Sequence, residues 1–241
     1  MVYSEKFYVG FSDVGPDLKI TNAAILRLFE DACCLQGEAV GDGFRDSFGR
    51  WFLTAYSVKV LKRPEYNDFV TVNTWSRELK GVSASREFEL RSADGSLLAI
   101  ALSNWARMNT ALGKLERMTP EAFAKYESEP ERHNFDEAWL TKLRDIGEYS
   151  IEREITAGRM LVDPNGHVNN VKYLDIAAEI LPDEAYAKGE ADRFEITYRK
   201  AIPRGETVKC LYGETDDSYN IAIKSRDLGE TMALIKLYKR V

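Results

Sequence analysis

Asp163, Asn165 and His167 stand at alternate positions in the stretch Asp163-Pro164-Asn165-Gly166-His167-Val168-Asn169-Asn170. Side chains at i, i+2 and i+4 share one face of an extended backbone, so this spacing groups a carboxylate, an amide and an imidazole. Pro164 biases Asp163 toward extended conformations, because the α region clashes with the proline ring. Gly166 permits a bend that a residue with a Cβ would resist. A helix reads from Asn170 onward, and either Asn169 or Asn170 is placed to cap it. The amides around Val168, Asn169 and Asn170, at the start of that helix, suit an oxyanion. Such a set can activate water and stabilise charge on a carbonyl under attack. The same residues also make an ordinary decorated turn, in which a histidine only satisfies backbone carbonyls.

The elements that must hold this stretch occur twice. A first helix reads over Asn22 to Glu38, with Ile25, Leu28, Phe29 and Ala32 on one stripe. A second reads over Asn170 to Ala187, with Tyr173, Ile176, Ala177 and Ile180 at the same spacing. Both follow the period of an amphipathic helix. An offset of 148 residues carries Ile25 onto Tyr173 and Asn22 onto Asn170, which predicts a matched pair of caps.

Strand-like segments follow each helix. In the first half they are Trp51 to Leu61, Phe69 to Trp75, Ser83 to Leu90 and Leu97 to Met108. In the second half they are Arg193 to Ala201, Thr207 to Tyr212, Tyr219 to Ser225 and Thr231 to Tyr238. The offset drifts to 139 between Pro64 and Pro203 and to 133 between the turn residues Asp94 and Asp227, so the first copy has the longer loops. Each half therefore reads as one long helix followed by an antiparallel sheet, an α+β plan repeated in tandem. The boundaries are 1–118 for the first module, 119–147 for an acidic helical linker, and 148–241 for the second. Under the helix offset Asp163, Asn165 and His167 fall on Gly15, Asp17 and Lys19, so only the second copy carries the reactive set.

The 241 residues are 44% hydrophobic and 30% charged, with a formal net charge of −6. That balance excludes a general nucleic-acid binder, which needs a basic footprint. No apolar run approaches the roughly 20 residues of a membrane span. The amino terminus lacks the layout of a signal peptide. The three cysteines give neither a disulfide framework nor metal-ligand spacing. No cofactor or metal is expected, and the expected compartment is the cytoplasm.

Several stretches together resemble the acyl-acyl carrier protein thioesterases in their bacterial form. They are Asp163-x-Asn165-x-His167-Val168-Asn169-Asn170-x-x-Tyr173, Tyr198-Arg199-Lys200, Val14-Gly15-Pro16-Asp17, and Trp51-Phe52-Leu53-Thr54 with Arg63-Pro64 and Thr74-Trp75. The likeness covers almost the whole chain. It implies two tandem hotdog domains, each a long central helix wrapped by an antiparallel β-sheet. It also implies hydrolysis of a fatty acyl thioester on acyl carrier protein, with the second module catalytic and the first binding the acyl chain. One departure stands out. Where the family commonly carries a glutamate, with a cysteine after it in plant members, this chain has Ala201 and Ile202.

On this reading Asp163 either activates water or attacks the carbonyl itself. Asn165 holds the water or the thioester, and His167 orients the groups or protonates the departing sulfur. Phe29 and Leu53 are expected to line the acyl tunnel. An acidic carrier protein needs a local basic patch, for which Arg199, Lys200 and Arg204, with Lys62 and Arg63, are candidates. Membrane insertion is not expected, and the chain is expected as monomer or homodimer. Hydrolysis of acyl-coenzyme A, or acyl binding by a lapsed enzyme, are the alternative readings; Ala201 favours the second of these.

Overall fold

The computed structural model describes residues 1–45 and 48–240; Val241, the last residue of the expected second module, lies outside them. The chain forms two compact units, Met1–Leu140 and Thr141–Val241.

The first unit begins with β1 (Tyr3–Tyr8), a 3-10 turn (Phe11–Asp13) and α1 (Asn22–Ala39). Four long strands follow: β2 (Gly49–Val60), β3 (Phe69–Lys80), β4 (Ser83–Ser92) and β5 (Leu97–Asn109). The short β6 (Lys114–Leu115) pairs with β5, and α2 (Pro120–Phe123) comes last. The long strands form an antiparallel sheet in the order β1-β3-β4-β5-β2. All four apolar residues of the predicted α1 stripe are buried, and Phe29 stacks on Phe88 of β4 with centroids 4.7 Å apart. The cap is Thr21 rather than Asn22: the Thr21 side chain accepts the Ala24 N–H at 3.1 Å, while Asn22 is buried in the first turn.

The second unit repeats the plan with β7 (Ile151–Thr156), a 3-10 turn (Arg159–Leu161), α3 (Lys172–Ile180) and α4 (Asp183–Tyr186). Its remaining strands are β8 (Arg193–Tyr198), β9 (Thr207–Glu214), β10 (Ser218–Ser225) and β11 (Thr231–Tyr238). Their antiparallel order, β7-β9-β10-β11-β8, is that of the first unit. The single helix expected over Asn170 to Ala187 is two pieces. Pro182 disfavours the helical conformation at Leu181, which is extended with ψ of 137°.

β1 and β7 are not among the strands that the sequence pattern predicts. Both are edge strands with one paired neighbour, and β1 simply alternates half-buried and exposed residues, a weak apolar signal.

The expected linker helix over 119–147 is also corrected. Helical structure covers only Pro120–Phe123 and a 3-10 turn at Ala124–Tyr126, which stops at Glu127 with φ of +43°. Beyond it the backbone bonds to the sheet instead of to itself. The Arg77 guanidinium, paired with buried Glu87 at 2.8 Å, also donates to the carbonyls of Phe135 and Glu137. The Asn134 N–H donates to Glu87, and Phe135 packs on Ile100 and Leu102. Within the second unit Leu143 and Tyr149 pack likewise on Leu211, Ala222 and Leu234. Gly213 has no Cβ because one would sit 2.4 Å from the Glu148 carbonyl oxygen.

A second polar hub belongs to the first unit alone. The Asp42 carboxylate, 2% exposed, accepts from Arg107 at 2.9 Å, Tyr126 at 2.6 Å and Trp51 at 3.2 Å. Burial alone would raise its pKa, but the Arg107 and Tyr126 bonds outweigh that and hold it below the ordinary value.

Candidate active site

The loop from Val162 to Asn169 is a closed turn. The Asp163 N–H donates to the His167 carbonyl at 2.9 Å and the Gly166 N–H to the Asp163 carbonyl at 3.0 Å. Val162 and Val168 pair across it, and Gly166 sits at φ of +82°, where a Cβ is disfavoured. Pinned to the rest of the unit, Val168 donates to Ile202 O at 2.8 Å and Asn169 to Leu161 O at 2.9 Å.

Side chains then complete the turn. Asp163 Oδ1 accepts the N–H groups of Asn165 at 2.8 Å and His167 at 3.3 Å. Its Oδ2 accepts Asn165 Nδ2 at 3.1 Å. A carboxylate offers about four lone-pair sites, so three internal bonds leave one, on Oδ2, for a water or substrate donor. The acid and the amide therefore meet directly. The imidazole is half-buried, makes no bond to Asp163, and carries Nδ1 buried without a partner among the described residues. An unpaired buried nitrogen is costly, and a bound water or ligand would relieve it.

Of the three amides expected to face an oxyanion, those of Val168 and Asn169 are already committed to carbonyls. Among the described residues the Asn170 N–H has no acceptor. Asn169 Oδ1 accepts the Val171 N–H at 2.8 Å and so closes the turn before α3, while the cap of the helix proper is neither asparagine but Val171, which makes no side-chain cap bond.

Two residues without an assigned role in the sequence reading complete the surroundings. Tyr198, at the end of β8, donates its hydroxyl to Asn170 O at 2.9 Å. Tyr173, 2% exposed, meets the Tyr198 ring edge-on at 5.2 Å. Burial pushes the Tyr173 phenol well up; the Ile202 backbone amide works against that, and the nearby Asp163 charge adds to it. The signal for both was available in the repeat, since their counterparts are aliphatic.

Ala201 is exposed and brings no carboxylate, while buried Ile202 serves through its backbone. Cys210 is fully buried, and burial alone pushes its thiol up to about 12, far from thiolate chemistry. Among the described residues no three His, Cys, Asp or Glu side chains cluster as a metal site. Of the expected basic patch, Arg204 is exposed, Arg199 is exposed but donates to Leu143 O at 2.9 Å, and Lys200 pairs with Glu230. Arg63 is not a surface cation: it is buried and donates to Ile20 O at 3.0 Å. Phe29 and Leu53 are buried in the first unit. A cavity of about 180 Å³ lies between the 143–149 segment and β10–β11, lined by Leu143, Tyr149, Ile221 and Leu234 and by no residue of the Asp163 loop.

Residues 1–126 match the family model of the acyl-ACP thioesterase N-terminal domain, and residues 146–237 that of the acyl-ACP thioesterase C-terminal domain. The chain is 27% identical to oleoyl-acyl carrier protein thioesterase 2, chloroplastic, of Arabidopsis thaliana, over 87% of this chain and 62% of that one. It is 24% identical to a chloroplastic palmitoyl-acyl carrier protein thioesterase of Cuphea hookeriana, over 88% of this chain and 54% of the other. The chain thus spans less than two thirds of the length of these curated relatives. The fold matches an acyl-ACP thioesterase from Bacteroides thetaiotaomicron with a TM-score of 0.85 and 18% identity, covering 99% and 98% of the two chains. It matches the 12:0-ACP thioesterase from Umbellularia californica with a TM-score of 0.83 and 22% identity, covering 99% and 97%.

Proposed function

The chain belongs to the acyl-ACP thioesterase family, and from that premise we propose that it hydrolyses the thioester of a fatty acyl group on acyl carrier protein, releasing the free acid. The observation that carries the proposal is the Asp163–Asn165 contact beside the unpartnered His167 Nδ1. Asp163 keeps one lone pair for a water, which favours its action as general base over direct attack. Asn165 is held against that carboxylate and fixes where the water sits. The His167 imidazole protonates the leaving sulfur, and the open Asn170 amide receives the developing oxyanion. The second module, 148–241, is catalytic and the first, 1–118, binds the acyl chain, with 119–147 between them. Arg204, with Arg199 and Lys200 beside it in sequence, receives the acidic carrier protein. Three free thiols suit a reducing compartment such as the cytoplasm.

A second reading, acyl binding without hydrolysis, is favoured by Ala201 and by the three bonds that spend Asp163 on its own turn. Release of free acid from acyl-carrier protein and from acyl-coenzyme A of matched chain length separates these possibilities. Hydrolysis of the carrier-protein substrate, falling steeply with added salt while a short thioester analogue is unaffected, is the expected result. Tight acyl binding with no free acid released from either substrate overturns it.

A further inference from the structure

The backbone around the candidate site differs from its counterpart in the first unit at one place. With the 148-residue offset α1 starts at Asn22, whose counterpart is Asn170, yet α3 starts two residues later, at Lys172. The junction is wound tightly instead, with Lys172 N–H on Asn169 O at 2.9 Å and Leu174 N–H on Val171 O at 3.1 Å. The Asn170 carbonyl therefore stands outside the regular helix, and the Tyr198 hydroxyl takes it at 2.9 Å. In the first unit the residues at the Tyr173 and Tyr198 positions are Ile25 and Val60, both buried and neither able to donate. The equivalence is fixed by hydrogen bonds: Leu61 and Lys62 donate to Leu98 O as Arg199 and Lys200 do to Met232 O. The tyrosine pair accompanies the equipped loop and is missing from the unequipped one.

We infer that Tyr198 is a positioning residue, whose hydroxyl fixes the Asn170 carbonyl and holds the Asn169–Val171 junction out of the helix, and so sets the direction in which the Asn170 amide points at the reacting carbonyl. Tyr173 braces it, ring against ring, from the first turn of α3. The inference rests on the proposed hydrolysis. Without the hydroxyl, the Asn170 carbonyl loses its donor and the junction relaxes toward the regular helix start seen at α1, which would commit the amide's neighbours differently and blur the oxyanion geometry.

Tyr198→Phe keeps the ring and removes only the donor. On acyl-carrier protein, with rates referred to folded enzyme, it should lower kcat about tenfold while KM stays within twofold. Tyr173→Phe should lower kcat less, since its ring contact survives. Hydrogen exchange of the 169–172 amides should quicken about tenfold in Tyr198→Phe, with the sheet amides unchanged. An unchanged kcat, or a fall in activity matched by loss of folded protein, overturns the inference. A wild-type protein that releases no acid overturns the proposed function; the positioning role then falls as well if 169–172 exchange is unaltered by Tyr198→Phe.

Discussion

The loops at 14–21 and 162–169 share one backbone and almost no chemistry. Gly15 N–H on Lys19 O at 2.9 Å repeats as Asp163 N–H on His167 O at 2.9 Å, and Leu18 N–H on Gly15 O repeats as Gly166 on Asp163. The Val14–Ile20 bridge repeats as Val162–Val168. Thr21 and Asn169 stand at matched positions, the first capping α1 and the second taking the Val171 N–H just before α3. Ile20 bonds to Pro64 O as Val168 does to Ile202 O, which sets the second offset at 138 and pairs Pro64 with Ile202 rather than Pro203. Hung on this frame, one copy has Gly15, Asp17 and Lys19 and the other Asp163, Asn165 and His167. The fold asks only for the backbone bonds, so side chains there are free to diverge.

The units diverge inside as well. The first buries Arg63, Arg77, Arg86, Glu87, Glu89 and Arg107, whereas among the described residues of the second no charged residue is buried. A buried ion network fixes one arrangement at a cost in desolvation, and breaking one partner leaves the other charge stranded. The first unit is thus held by polar anchors that strap 127–137 to its sheet, and the second keeps the charged side chains of its described residues out of the core.

The sharpest test of the contrast sets Asp163→Asn beside Asp17→Asn. The first should cost about a thousand-fold in kcat with the fold intact, and the second less than about twofold; equal rates in the two variants would erase the distinction between the loops. Next in size is Asp42→Ala, which leaves buried Arg107 with Glu116 as its remaining carboxylate, takes the acceptor from Tyr126 and Trp51, and should destabilise the first unit by about 3 kcal/mol in urea unfolding. The Asp42 carboxyl is held below its ordinary value of about 3.8, so its stabilisation is present above that pH and is lost as the pH falls through the lower folded value. Acid unfolding of Asp42→Ala should accordingly lack that component. The smallest effects concern the turn itself. Gly166→Ala places a Cβ at φ of +82° and should cost about 1 kcal/mol, whereas Leu18→Gly, at φ of +60°, should stay within about 1 kcal/mol of wild type. A thermal shift in the opposite order would show that the two turns do not share one strain.

Much of this was legible in one dimension. The strand from Thr231 to Tyr238 was read to the residue, and the α1 stripe closely, because periodic burial leaves a periodic signature. The 148-residue offset held through the whole pre-helix loop. The Asp163 set was visible as spacing, but its internal bonding was not, because side-chain direction depends on the turn that closes around it. The edge strands, the broken second helix and the packed 127–140 segment lay beyond reach for one reason: each is decided by a partner distant in sequence or by a single proline.

Sequence alone determined the duplication, the family and which copy carries acid, amide and imidazole, since these follow from residue identity and period. Tertiary structure decided the rest: that Val168 spends its amide on Ile202 and Asn169 on Leu161, that Arg63 is buried, and that Tyr198 reaches Asn170 across 28 residues. Hydrogen-bond donors are exhausted by whichever acceptor the fold brings near, and that choice is made in space.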